Sequence, residues 1–240
     1  MKKLVLITIF SAFLMSFTAN AQEKIKGNGK VTSQTRNTSD YDAIKIAGSF
    51  DVDLIAGKEG TITIKGEENL LSAIKVEVED NSLKIYTQKN IQIRPSTGNK
   101  IQITIPFDKI SSIALAGSGD ILSKDVIKND KFSAKLAGSG KINLAVDTHT
   151  FELSLSGSGG AIVKGSADNF TTKLAGSGNI NASDLKSKTA EANVSGSGNS
   201  IVNCNQNLVA RVAGSGNIKY LGNPEKQDVK VSGSGNITKG

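Results

Sequence analysis

Residues 151–180 read FELSLSGSGGAIVKGSADNFTTKLAGSGNI, and within them Phe151, Leu155 and Gly157 return 19 residues later as Phe170, Leu174 and Gly176. The same tripeptide, Gly-Ser-Gly, occurs seven times in the chain. Its first glycine stands at Gly117, Gly138, Gly157, Gly176, Gly196, Gly214 and Gly233, with successive spacings of 21, 19, 19, 20, 18 and 19. Composition bias does not give so steady a spacing, and a fixed period of this length is the signature of a repeat architecture.

Aligned on that glycine, the copies form columns. Two residues before it stand Leu115, Leu136, Leu155, Leu174, Val194, Val212 and Val231, and six before it stand Phe132, Phe151, Phe170, Ala190 and Leu208. Between these apolar columns, three before the glycine, lie Lys135, Ser154, Lys173, Asn193, Arg211 and Lys230. Such period-2 alternation predicts a strand with one apolar and one polar face. A second apolar column, Ile121, Ile142, Ile180, Ile218 and Ile237, follows four residues after the glycine. A unit of about 19 residues with one short strand cannot close its own core and must stack on copies of itself.

As strand, 19 residues give a contour near 60 Å, enough to circle a flattened core once, with coils about 4.8 Å apart. The prediction is an all-β fold, a parallel β-solenoid and most simply a β-helix, with coils of about 19 residues. Phe132, Phe151 and Phe170 should then stack inside it, and the Leu/Val column should face the core. A membrane β-barrel would need longer strands and aromatic girdles. Leucine-rich and calcium-binding nonapeptide repeats need patterns that these copies lack.

The N-terminus reads differently. Met1-Lys2-Lys3, an apolar run from Leu4 to Phe17, and Thr18-Ala19-Asn20-Ala21 follow the order of a secretory signal peptide. Cleavage is expected after Ala21, which makes residues 1–21 a leader and 22–240 the mature protein, extracytoplasmic and without a membrane-spanning segment. The mature chain is read as one continuous β-helix domain. Residues 22–110 form an irregular β-rich part, with one helical turn expected between Glu67 and Ile74, and residues 111–240 form the regular coils.

Composition narrows the chemistry. The full chain has 29 Lys plus Arg against 22 acids, and loss of Lys2 and Lys3 leaves 27 against 22, a net charge of +5. Basic residues are interspersed with acids and stacking aromatics are scarce, which argues against nucleic-acid binding. One cysteine, Cys204, excludes a disulfide framework, and one histidine, His149, leaves little for metal or acid–base chemistry. No cofactor or metal site is expected. Cys204 reads as a small core filler and His149, among Asp147, Thr148 and Thr150, as part of a solvated turn. The repeated glycines read as structural turns, their serines free to bond backbone or one another.

Acids of the repeat half (Asp120, Asp125, Glu152, Asp168, Asp184 and Glu191) read as scattered, without the recurring carboxylate pair of a glycan-cleaving site. The basic column Lys135, Lys173, Arg211 and Lys230 is the candidate ligand-binding feature, suited to an anionic glycan or surface. The plainer reading is a charged sheet face that resists aggregation.

The segment Tyr41-Asp42-Ala43-Ile44-Lys45-Ile46-Ala47-Gly48-Ser49-Phe50-Asp51-Val52-Asp53-Leu54, the later Glu68-Asn69-Leu70-Leu71, and Gly178-Asn179-Ile180-Asn181 within the repeats are distinctive. They resemble the "putative autotransporter adhesin head GIN domain" family of the Bacteroidetes, over roughly Tyr41 to Ile237. The resemblance implies a right-handed parallel β-helix and an export signal. The stretch Gly235 to Gly240 is no translocator barrel, so self-secretion is not expected. The functional expectation is a secreted or periplasmic, non-enzymatic binding or structural module of the bacterial envelope, adhesin-like, whose partner is a cell-surface polysaccharide or protein. The alternatives are a polysaccharide-active β-helix enzyme and a ligand-free envelope scaffold.

Overall fold

The computed structural model describes residues 23–240; the expected leader, residues 1–21, lies outside them. Strand accounts for 72% of the described residues, arranged as a β-solenoid of about seven turns with a spacing near 19 residues. Lys141–Gly157, Gly160–Gly176, Asn179–Gly196 and Asn199–Gly214 each run almost the whole way around a coil. The sequence pattern predicts one short strand per repeat; the observed strands are 16 to 18 residues long. Parallel pairing with a like neighbour satisfies backbone N–H and C=O groups through most of the bends. Besides the glycine corners, the ladder breaks register at Ile162–Lys164 and between Asn181 and Thr189.

Along the strand that leads into each corner, register is in step from coil to coil. Phe132 pairs with Phe151 and Phe151 with Phe170, as do Leu136, Leu155 and Leu174. The three phenylalanine rings stack inside the core, with centroids 5.7 and 5.5 Å apart and interplanar angles of 12° and 9°. The Leu/Val column is buried from Leu115 to Val212. Val229 and Val231, at inward positions of the last described coil, are 49% and 41% exposed because no further described coil covers them. Some core positions are polar; among them Thr172 and Ser200 are 1% exposed, and their hydroxyl oxygens have no hydrogen-bond partner.

The corners explain the glycines. Gly176 has φ +122°, a backbone that L-residues rarely adopt, and a Cβ there would lie 2.4 Å from the carbonyl oxygen of Gly157. That carbonyl accepts hydrogen bonds from the N–H groups of both Ser177 (3.0 Å) and Gly178 (3.1 Å) of the next coil. The same shared acceptor recurs at Gly117, Gly138, Gly176 and Gly196. Serine hydroxyls of these corners, expected to bond backbone or one another, face solvent instead, because backbone donors already serve the corner carbonyls.

Below Gly117 the order of the chain is no longer the order of the stack. Ala43–Ala47 pairs with Ser112–Gly117 on one side and with the later strand Ser82–Thr87 on the other, all parallel. Likewise Asp51–Ala56 lies between Asp120–Ser123 and Gln102–Phe107. The chain therefore lays down one coil, passes to its outer side to lay another, and then returns past the first to begin the regular stack. Antiparallel strands close this end: Ile74–Glu79 on Ser82–Thr87, and Thr61–Glu67 between Gln102–Phe107 and Val31–Asn37. The expected helical turn is present at Glu68–Leu71, with Leu70 and Leu71 fully buried.

Glu67 holds the closure together. Its buried carboxylate accepts hydrogen bonds from the Gly29 N–H (2.5 Å), the Ser96 N–H (2.8 Å) and the Ser96 hydroxyl (2.7 Å). Those bonds, the Ser96 hydroxyl first among them, keep its carboxyl below the usual range despite opposing desolvation. Arg36 adds a clasp by donating to the carbonyls of Ile74 (2.5 Å) and Leu71 (2.6 Å). One apolar core runs through both regions, from Tyr41 to Ile218.

Candidate functional site

The strand before each corner turns three rows of side chains outward, at five, three and one residues before the first glycine. Parallel register makes each row a line along the solenoid axis with about 4.8 Å between coils. The central row contains the four basic residues singled out in the sequence. In stack order it reads Lys84, Lys45, Ala114, Lys135, Ser154, Lys173, Asn193, Arg211 and Lys230. The structure thus brings the predicted Lys135, Lys173, Arg211 and Lys230 onto one face. Lys45 and Lys84 extend the row; sequence reasoning missed them because they sit where chain order and stack order part.

The two flanking rows differ in character. On one side the row reads Ser133, Glu152, Thr171, Glu191, Val209 and Asp228. Two of the acids that look scattered in the sequence, Glu152 and Glu191, therefore align with Asp228, on every second coil. A count of five back from each Gly-Ser-Gly would have revealed it. On the other side stand Ala116, Ala137, Ser156, Ala175, Ser195 and Ala213, all exposed and small. Their low relief leaves a shallow groove of about 580 Å³, walled by Lys45, Lys135 and Lys173 and floored by Ala116, Ala137 and Ala175.

The charges are not all equally available. Arg211 donates to the Asp228 carbonyl (2.6 Å) and also pairs with the Asp228 carboxylate. Lys84 is engaged by Glu79. Lys45, Lys135, Lys173 and Lys230 form no ion pair among the described residues.

Elsewhere the candidates separate. His149 lies within the strand Lys141–Gly157 rather than in the expected turn. It is exposed, as expected, and its Nδ1 sits 2.7 Å from Asp168 Oδ2, while Lys188 Nζ sits 2.7 Å from Asp168 Oδ1. Parallel register lets residues at successive coil positions meet in this way. Lys188 and then His149 hold the Asp168 carboxyl below its ordinary range. Cys204 is fully buried, as expected of a core filler, and burial pushes its thiol up to about 11. On a second outer face Asn179, Asn199 and Asn217 form a side-chain ladder with bonds of 3.0 and 2.9 Å. Among the described residues no three metal-ligating side chains converge, and no helix is long and apolar enough to cross a membrane.

Comparison with known proteins adds to this geometry. Residues 40–224 match the family described as "Putative auto-transporter adhesin, head GIN domain". Among solved structures, a putative adhesin from Bacteroides fragilis is similar with TM-score 0.81 and 24% identity, over 90% of this chain and 99% of that one. A putative lipid binding protein from Parabacteroides distasonis is similar with TM-score 0.75 and 29% identity, over 91% of this chain and 100% of that one. A putative adhesin from Parabacteroides merdae has TM-score 0.71 and 21% identity, over 91% and 99%. No curated protein matches the chain.

Proposed function

This chain belongs to the head GIN domain family, and from that premise we propose that it is an extracytoplasmic, non-enzymatic binding module of the bacterial envelope. Its contact surface is the basic row containing Lys135, Lys173, Arg211 and Lys230, and its ligand is an anionic polymer of a cell surface. The observation that carries this reading is the row itself: cations along one exposed sheet face, on a rigid scaffold that holds them in register. Individual exposed contacts of this kind are weak, so a polymer that engages many at once suits the row better than a small substrate does. Glu152, Glu191 and Asp228 are spread along the same face rather than paired across a cleft, which favours binding over glycosidic cleavage.

The test incubates the mature protein with acidic and neutral envelope glycans and follows retention and product release in parallel. Retention of the acidic polymer should fall as salt rises from about 50 to 300 mM, because screening shortens the reach of surface charge. Lys173→Glu with Arg211→Glu should weaken it further. Release of oligosaccharides would favour a glycan-active enzyme. The lipid-binding name of the Parabacteroides distasonis relative makes anionic vesicles the third arm, and retention there without glycan retention would replace the polymer by a lipid surface.

A further inference from the structure

The basic row is periodic, and its period is two coils. From Lys45 to Arg211 the row alternates without a break: Lys45, Ala114, Lys135, Ser154, Lys173, Asn193, Arg211. Cations therefore recur about every 9.6 Å, twice the coil spacing. Of the three intervening coils, that of Ala114 has Ser112 at the flanking place, and the other two are not merely neutral. Glu152 shares a strand with Ser154, and Glu191 shares one with Asn193, each pair on the same outward face. Coils that carry Lys135 and Lys173 have Ser133 and Thr171 at the matching places. Both glutamates are exposed. The face thus carries two lines of opposite charge with the same two-coil period, displaced from one another by one coil.

We infer that the anionic polymer bound here is a linear glycan with one acidic group per disaccharide, lying along the solenoid axis beside the basic row. The inference rests on the binding function proposed above and specifies its ligand. Two coils advance by close to the length of one disaccharide in an extended β-linked glycan, so successive acidic groups meet Lys45, Lys135, Lys173 and Arg211 in turn. Between Lys135 and Arg211 the intervening sugar passes the coil of Ser154 or Asn193, where small polar side chains can bond hydroxyls and where Glu152 or Glu191 repels a second carboxylate. Between Lys45 and Lys135 it passes Ala114, where no acid stands. Repulsion at the unwanted position sets specificity as much as attraction at the wanted one. Ala116, Ala137 and Ala175 provide a low ledge on which a sugar ring can lie without obstruction. Arg211 must leave Asp228 to join the contact, which makes the three lysines the core of the site.

Two soluble probes separate the possibilities. Hyaluronate carries one carboxylate per disaccharide and polygalacturonate carries one per monosaccharide. Compared at equal carboxylate concentration and low salt, the protein should bind hyaluronate more tightly by about fivefold or more, the effect of a few exposed charge contacts. Glu152→Gln with Glu191→Gln should bring the two affinities together. Ser154→Lys with Asn193→Lys, which fills the gaps in the row, should reverse the preference. All four positions face solvent, so each variant should keep the wild-type melting curve. Equal binding of both probes by the wild type would overturn the periodic match while leaving a polyanion-binding surface. A preference that survives both double variants would overturn it as well. Failure of both polymers to bind at low salt would overturn the binding function itself.

Discussion

The regular coils and the N-terminal closure are built on the same apolar core but by different rules. From Gly117 onward each coil is templated by the one before it: like residue lies on like residue, and one corner glycine serves as acceptor for the next. Near the N-terminus the Gly-Ser-Gly repeat is absent, although Ala43–Ala47 still stacks in register beneath Ser112–Gly117. Parallel and antiparallel pairs mix, the coil formed first in the chain lies second in the stack, and single residues such as Glu67 and Arg36 do work that a whole column does elsewhere. A stack held by repetition tolerates variation at one outward position, whereas a closure held by unique contacts depends on each of them. The open flank of an end coil would otherwise be a template for other chains, and antiparallel strands laid across it remove that hazard.

The largest expected difference concerns glycines. Gly176→Ala combines an unfavourable φ with a 2.4 Å approach to the Gly157 carbonyl, and it should cost about 4 kcal/mol or more in denaturant melts. Gly98→Ala, also at positive φ but with nothing within 4 Å of the added Cβ, should cost about 1 kcal/mol. Equal losses would mean that strain alone, and not the close stacking of corners, governs the regular region.

Next come the core positions. Leu155→Ala, 1% exposed, should cost roughly 2 to 5 kcal/mol by lost transfer energy and the residual cavity. Lys173→Ala on the opposite face should cost under about 0.5 kcal/mol. Ile103→Ala in the closing region should lower the same unfolding transition as Leu155→Ala, since one core joins the two. Two separate transitions would show them to be distinct units.

A gain is expected at Thr172. Its hydroxyl is buried without a partner, between Leu153 and Ala192 in the ladder. Thr172→Val keeps the shape and should raise stability by about 1 kcal/mol. Loss instead of gain would point to a partner for the hydroxyl.

The smallest effect should be local. The carboxyl of Glu67 is held below its unfolded range, so its contribution is full above the ordinary carboxylate pKa and is lost as pH falls through the lower, folded value. Amide exchange around Gly29 and Ser96 should quicken on acidification, while the coils at Gly157 and Gly176 stay protected. Glu67→Gln should abolish that pH dependence. Uniform quickening in both regions would assign the acid response to the whole stack.

What could be read from the sequence follows from the same contrast. Repetition is visible in one dimension, so the solenoid, the buried Leu/Val column, the phenylalanine stack and the basic row were all legible from Gly-Ser-Gly spacing. The helical turn at Glu68–Leu71 was legible from composition. The exchange of coil order was not, because pairing of Ala43–Ala47 with both Ser82–Thr87 and Ser112–Gly117 depends on long-range closure and leaves no local period. Lys45 and Lys84 were lost to the candidate site for that reason. The acidic row escaped for a different one: its residues vary in type and skip alternate coils, so only registration to the corner reveals them.

The identical corners also carry a consequence for inheritance. Excising residues 158–176 would join Gly157 to Ser177 and recreate a Gly-Ser-Gly junction, so unequal recombination between repeats can delete or duplicate a whole coil without leaving a scar in the reading of the turn. Removing one coil, however, would bring Ser154 next to Asn193 and put the charge pattern out of phase, whereas removing two adjacent coils would preserve it. Descendants of this gene that keep the charged surface should therefore differ in length by pairs of repeats, making the coil pair, rather than the coil, the unit on which selection acts.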